Sequence, residues 1–492
     1  MGSIAPILAG LVTIGACFGV QPEGADELRR LEAIIADAAA APEQREQAAD
    51  EARRLRPRLI ASAGPESLEA PTWLLDQAGA ELALIGRNGS DLAALFGLAT
   101  ESQWREVARA ASEAEALVRD AEGRIERLLA RADEAPLGSL SEQRYQALRR
   151  LRDDEAGLRA PYCRGRATLL LSAVSAEAGD AAGAVRWARA SIEALGLTEA
   201  ADPVAETARR ITGAVALLRA GERSEAQDAL EAILPPGGPG PGRDEIDGVT
   251  HAEGLLALAE IRSAELGAEA AMNWLLGRIG QRPFAGDPLL ITIAHDACAR
   301  MLIEAQGAGE PARRRAVSVV LRLLERDDLG LSEEARRALV GARLDQLLSG
   351  ADLSGYPVEA LALWAQTAAQ DPARREVAID TLRDVASRTT DPDLREESLF
   401  EAAALLLDPG APDAQRIEGV AILIALLEHV ADWPRGPEAA RAIAAHAGAL
   451  YASAVDDPDR QALLERALRA CIGALPQRSE ADQWRLDLAR LL

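Results

Sequence analysis

All 54 basic residues of this chain are arginine, and there is no lysine. A phosphate-binding P-loop needs Gly-Lys-Ser/Thr, a protein kinase needs a strand lysine, and a pyridoxal enzyme needs a lysine for its Schiff base. Those three chemistries are excluded. His251, His295, His429 and His446 never fall into the His-Glu-x-x-His spacing of a helical zinc site. His295 lies in an apolar helical stretch and reads as a satisfied core residue rather than a ligand. Cys17, Cys163, Cys298 and Cys471 form no Cys-x-x-Cys pair, so neither a zinc framework nor a disulfide scaffold is expected. The last three sit among apolar residues and read as small core side chains. No Gly-x-Ser-x-Gly elbow occurs. Asp153-Asp154, Asp327-Asp328 and Asp456-Asp457-Pro458-Asp459 miss the Asp-Asp-x-x-Asp spacing that holds magnesium in helical diphosphate-ionising enzymes. Folding could bring carboxylates together for acid–base work, yet among 78 acids such pairs arise by chance. The sequence predicts no catalytic, cofactor-binding or metal-binding residue.

The 78 acids outnumber the bases and give a formal charge of −24. Nucleic acid is therefore not an expected partner, because a duplex binder needs a cationic face to neutralise phosphates. The clusters Arg149-Arg150-Leu151-Arg152 and Arg313-Arg314-Arg315 stand beside Asp153, Asp154 and Glu310, and read as solvated helix faces. Trp73, Trp104, Trp187, Trp274, Trp364, Trp433 and Trp484 are spread along the chain and read as core; an exposed one in a groove would instead be a binding anchor.

The elements that must position any site are helices. Alanine, leucine, arginine and glutamate dominate, and no run of β-branched residues alternates with period two. The expected class is all-α. At 492 residues the chain exceeds what one compact core supports, so several domains or a repeat array are expected. Between 25 and 160 the helices look long and charged. Trp104, Val107, Ala111, Ala114, Val118, Ala121, Ile125 and Leu128 form one apolar stripe over Glu101–Ala132, suited to a coiled-coil-like hairpin. Asp26–Ala40 and Pro42–Ala61 suggest another pair. Arg87-Asn88-Gly89-Ser90 is a turn signal, with Ser90 or Asp91 placed to cap the next helix; the same stretch fits a glycosylation sequon, given little weight in a bacterial-type chain.

From Pro161 onward short helices come in pairs. Arg164–Ala178 and Ala181–Leu195 flank Gly179-Asp180; Pro203–Ala220 and Arg223–Leu234 flank Gly221-Glu222. Gly179 and Gly221, like Ala184 and Ala226, are separated by 42 residues (221 − 179; 226 − 184), the mark of a helical solenoid. The run Pro235–Gly242 cannot be helical and reads as an exposed connector, spanning 235–248 with its flanks. Its prolines lack the N–H donors of a phosphate cradle. Pairs resume over 249–492, with helix starts marked by Asp202-Pro203, Asp287-Pro288, Asp371-Pro372, Asp391-Pro392 and Asp457-Pro458. Aspartate caps the first amides and proline tolerates the first helical position.

Over 161–234 these residues resemble the tetratricopeptide repeat family, with Gly179-Asp180 and Gly221-Glu222 as its turn and Ala184 and Ala226 as its small packing position. Gly267-Ala268-Glu269 is a looser third case. The chain departs from the family in its longer period, in having Ser175 and Leu217 where an aromatic is expected, and in placing only Pro235 after a second helix; residues 25–160 do not match. The resemblance implies a helical-hairpin solenoid that binds a protein or peptide and does not catalyse.

Ile4–Val20 carries no charge and ends in small residues, the pattern of an export signal over 1–21. Ile14-Gly15-Ala16-Cys17 resembles a bacterial lipobox, which implies that Cys17 is lipidated and is the only membrane attachment. A plain cleavage after Ala16, an uncleaved anchor, or a buried N-terminal helix in a cytoplasmic protein are the other readings. Together these features predict an exported, periplasmic or membrane-anchored protein-interaction scaffold of the bacterial envelope. The rival readings are a periplasmic enzyme using carboxylates and an oligomeric structural spacer.

Overall fold

The computed structural model describes residues 24–37, 39–134, 140–196, 202–235, 246–279, 287–305, 309–327, 331–430, 433–454, 457–475 and 479–491. Among these residues every regular element is a helix. The export segment 1–21, Cys17 and the centre of the Pro/Gly connector lie outside them. No helix among the described residues is long and apolar enough to cross a membrane. The chain divides into two compact units, the first ending at Ala308 and the second running from Gly309 to the C-terminus apart from 328–330.

The first unit begins with α1 (Ala25–Ala36), α2 (Pro42–Ser62), α3 (Ala70–Arg87), the short α4 (Ser90–Leu95) and the 33-residue α5 (Glu101–Asp133). Thr100 caps α5 in a reciprocal box with Gln103, so both first-turn donors are satisfied. The stripe anticipated on α5 is buried from Val107 to Leu128, with Trp104 half-buried. It does not form a separate hairpin: α5 packs on α3 and on α7. Then come α6 (Glu142–Arg150), a π-helical stretch Leu151–Arg159, and α7 (Ala160–Glu177), without a break. Pro161 explains the π register. It has no N–H, and its ring would press on the preceding turn of a regular helix. The widened turn lets the Ala160 N–H reach back to the Glu155 carbonyl. It also brings Glu155 and Arg159 against α3. There Thr72 Oγ1 donates to Glu155 at 3.1 Å, and Arg159 bridges Glu155 and Asp76.

Helical hairpins follow: α7 with α8 (Ala181–Gly196), α9 (Pro203–Ala220) with α10 (Arg223–Ile233), α11 (Gly248–Leu266) with α12 (Ala268–Ile279), and then α13 (Pro288–Ala305). Each helix packs on its sequence neighbours. In addition α7 touches α9, α9 touches α11 and α11 touches α13, whereas α8, α10 and α12 make no comparable contacts with one another. The hairpins thus stack in two layers, and the layer of first helices is the more closely spaced. This layered helical-hairpin array is the helical solenoid anticipated from the 42-residue period.

The two aligned turns are built alike. Gly179 and Gly221 take positive φ, 78° and 90°. Asp180 N–H reaches Ser175 O while Gly179 N–H reaches Ala176 O; Glu222 N–H reaches Leu217 O while Gly221 N–H reaches Leu218 O. This is the Schellman ending, which satisfies helix-end carbonyls and needs a left-handed residue. Gly267 at φ 89° ends α11 with a bond to Ser263 O instead, so the third turn differs. Ala184 and Ala226 are buried on the second helices, and Ser172 Oγ donates to the Ala184 carbonyl at 2.7 Å across the first hairpin.

The second unit holds α14 (Glu310–Leu321), α15 (Glu333–Leu348), α16 (Val358–Ala368), α17 (Arg375–Arg388), α18 (Pro392–Leu406), α19 (Asp413–His429), α20 (Gly436–Ala454), α21 (Pro458–Ala474) and α22 (Ser479–Leu491), each packed on the next. Asp202, Asp391 and Asp457 cap α9, α18 and α21, and Asp287 accepts from the first amides of α13. Asp371 opens a 3-10 turn, Pro372–Arg374, rather than the helix itself. In the core of this unit Phe400 and Trp433 meet edge-to-face at 5.6 Å. Arg435 covers the Phe400 ring and pairs with Glu397, Glu401 and Glu438.

Candidate binding face of the helical array

Within the first unit, α3, α4 and α5 pack on α7, the first member of the layer of first helices (the inner layer), and arginines of α7, α9 and α13 reach α4. All six α4 residues are buried, although the segment has only one turn and a half of helix. Gly89 precedes it at φ 71° and Gly97 follows it at φ 62°. The anticipated cap at Ser90 or Asp91 is not formed, because the residue preceding the helix is Gly89.

Asp91 does something else. Its Oδ1 accepts the Leu92 N–H at 2.6 Å, and its Oδ2 accepts Arg166 Nη2 from α7 at 2.8 Å. The other arm of Arg166 reaches Glu253 Oε2 on α11 at 2.5 Å. All three residues are buried: Arg166 is 5% exposed, Asp91 1% and Glu253 3%. Burial alone would lower the Arg166 pKa, but the Glu253 and Asp91 carboxylates outweigh it and hold the guanidinium charged. Burial pushes Glu253 above the usual carboxylate range despite Arg166. Burial likewise raises the neighbouring Tyr162 phenol.

The C-terminal end of α4 is fully accounted for. Phe96 N–H bonds Leu92 O, Leu98 N–H bonds Ala93 O at 2.7 Å, and Gly97 N–H bonds Ala94 O at 3.0 Å. That is again a Schellman ending. The next two carbonyls go to the array. Arg219 on α9 donates to Leu95 O at 2.7 Å, and Arg300 on α13 donates to Phe96 O. Both cations sit where the helix dipole concentrates negative charge. Arg219 also lies 5.3 Å from the centre of the Phe96 ring and is paired with Glu260 at 2.7 Å. Burial raises the Glu260 pKa, but Arg219 outweighs it and holds the carboxyl below its ordinary value. Gly97 is required twice, by its left-handed backbone and because a Cβ there would overlap the Arg300 guanidinium. At the other end a Cβ on Gly89 would lie 3.0 Å from Leu289 and Ile293 of α13.

Three array helices therefore each contribute one arginine to one short segment. Two of the three arginines read main-chain carbonyls, which any helix end presents, and one reads a carboxylate.

Other residues singled out from sequence are placed as follows. Cys163, Cys298 and Cys471 are buried thiols, and burial pushes Cys163 up to about 11 and Cys471 up to about 12. His295 is buried with Nδ1 2.9 Å from Ile291 O. His251 is buried beside Arg278; burial first, and then that cation, push it down to about 4. Trp73, Trp364, Trp433 and Trp484 are core, while Trp104, Trp187 and Trp274 are half-buried. Arg262 stacks over Trp274 at 4.6 Å. Arg149 pairs with Asp153, and Arg313 and Arg314 pair with Glu310. No group of three or more histidine, cysteine or carboxylate side chains able to hold a metal occurs among the described residues. Arg166, Arg219, Glu253 and Arg300 were not singled out from sequence, and Asp91 was singled out only as a helix cap. The only local signal is Arg166 itself, a lone cation in the apolar stretch from Gly165 to Ser172.

No family model matches the sequence, and no curated protein matches it. Among the solved structures that overlap most of the chain are these two. A monomeric mutant of IFIT1 with Gppp-AAAA covers 92% of this chain and 87% of its own at 11% identity, with a TM-score of 0.26. The APC/C hetero-tetramer Cut9-Hcn1 covers 95% and 97% at 12% identity, with a TM-score of 0.22. At these scores the functional reading rests on the chain's own geometry.

Proposed function

We propose that the protein is a non-catalytic protein-interaction scaffold built on a helical-hairpin array. One observation carries the reading: the inner layer of the first unit holds a short helical segment through arginines aimed at main-chain carbonyls. A face of this kind recognises peptide structure rather than transforming a small molecule. The strongly acidic surface suits a partner segment carrying arginine or lysine elsewhere on its length. Affinity capture with the full-length chain, followed by light scattering of the isolated complex, tests the reading. A complex of defined stoichiometry with a second protein is the expected result. Self-association that grows with concentration and no second protein would instead favour the spacer reading.

We place this scaffold in the bacterial envelope on the signal-like start and Cys17. Intact mass of the protein expressed in a bacterial host tests that part separately. The expected species begins at Cys17 and carries added acyl mass. A soluble chain retaining Met1 contradicts it.

A further inference from the structure

We propose that residues 88–98 act as a tethered ligand of the inner layer, and that the partner of this face is a short helix ending in an aromatic residue followed by glycine, with an acid in its first turn. The inference rests on the scaffold reading and specifies its ligand.

The segment is set apart from the helices around it. It lies between two left-handed glycines, Gly89 and Gly97, and is flanked by the much longer α3 and α5. Its polar attachments to the array number few kinds: one carboxylate, Asp91, received by Arg166, and two carbonyls at its C-terminal end, received by Arg219 and Arg300. The guanidinium of Arg219 also rests on the Phe96 ring. Each of these groups belongs to a helix end in general. Only Asp91, Phe96 and Gly97 are demanded by type: a charge for Arg166, a ring for Arg219, and the absence of a side chain beside Arg300. The receiving groups, by contrast, are built into the array. Arg166 is fixed from behind by Glu253, and Arg219 by Glu260. They are pre-organised for an occupant of this chemistry, which lowers the ordering cost of binding it.

Covalent attachment gives the resident segment an effective concentration in the millimolar range, so an isolated peptide in trans is excluded unless the resident is weakened, whereas a partner with further contacts elsewhere on the array can displace it. This dictates the experiment. The probe is a fluorescent synthetic peptide with the sequence of residues 87–99, titrated by anisotropy into the full-length protein. Wild type is expected not to bind it. The full-length double variant Asp91→Asn/Phe96→Ala, with its resident weakened, is expected to bind it, and a peptide with the Phe96→Ala change is expected to bind at least tenfold more weakly. Adding Arg219→Ala and Arg300→Ala to the protein is expected to remove binding. A folded double variant that ignores the peptide, or binds both peptides equally, overturns the proposal while leaving the scaffold reading intact. Should the double variant lose its helical circular dichroism, hydrogen exchange on wild type decides. Amides of 90–97 that open independently of α7, α9 and α11 support the proposal, and amides that open only together with those helices overturn it.

Discussion

Replacing Arg166 by methionine removes the one cation that faces two buried carboxylates. Asp91 and Glu253 are 1% and 3% exposed, so neither can turn to water without moving a helix. Removing one partner of a buried ion pair costs about 3–5 kcal/mol, because a charge is left uncompensated. Methionine fills the volume, so little of this loss is a cavity. A pH dependence follows with a definite sign. Without the guanidinium, burial acts unopposed on Glu253 and raises its folded-state pKa further above its unfolded value. The folded variant then holds more protons than the unfolded chain, and its stability falls as pH rises from the unfolded pKa toward the folded one. Each carboxyl that stays protonated in the fold contributes about 1.4 kcal/mol per pH unit. Between pH 5.5 and 7.5 the variant's stability is expected to fall more steeply than that of wild type, by up to about 3 kcal/mol for the one carboxyl. Hydrogen exchange of peptides covering α4, α7 and α11, corrected for intrinsic rates, measures the loss locally. The expected drop in protection is about two to four powers of ten at pH 7.5. The triple variant Arg166→Met/Asp91→Asn/Glu253→Gln is expected to lose the pH dependence. A loss under about 1 kcal/mol that is the same at both pH values would refute the claim that these three groups form one buried charge unit.

Gly97→Ala places a side chain in the left-handed region and against Arg300, and is expected to cost about 1–3 kcal/mol, read as a lowered thermal midpoint of the first unit. Gly221→Ala meets open space, so only its φ of 90° is penalised and the loss is about 1–2 kcal/mol; a larger drop in urea midpoint would point to a contact the geometry lacks. His251 has its folded pKa pushed down to about 4, so the unfolded chain binds the extra proton first. Its neutral burial is fully tolerated above the unfolded pKa and becomes destabilising as pH falls toward the folded one. His251→Gln is expected to flatten the acid side of the stability curve between about pH 6.5 and 4, a span of about 3 kcal/mol, measured by urea titration at several pH values.

The architecture was legible because it is written in local rules. Asp-Pro marks the starts of α9, α13, α18 and α21 through one capping carboxylate and one missing N–H, and Gly179 and Gly221 mark helix ends through a backbone angle. The apolar stripe of α5 gave its length, but not its partners, since a stripe states that a face is buried and not against what. Pro161 looked like a start and sits inside a continuous helical run, because the π turn upstream relieves the clash that would have ended it. The face itself was invisible for a different reason. Asp91, Arg166, Arg219, Glu253 and Arg300 span about 210 residues of chain (300 − 91 = 209) and fall on five helices. No spacing connects them until α7, α9, α11 and α13 are stacked. The turn read at Arg87-Asn88-Gly89-Ser90 is present, with Gly89 at φ 71° leading into α4, whereas the cap expected at Ser90 or Asp91 is not.

Arginines of the inner layer hold the end of α4. Hydrogen exchange of the full-length chain with and without Arg219→Ala/Arg300→Ala measures that hold directly. Slow exchange of the amides from Leu92 to Leu98 is expected in wild type. In the variant their protection should fall at least a hundredfold, with α7 and α9 little changed, as expected for two charged hydrogen bonds of about 1.5–3 kcal/mol each. Fast exchange of this segment in wild type, or exchange unaffected by the two substitutions, would contradict it.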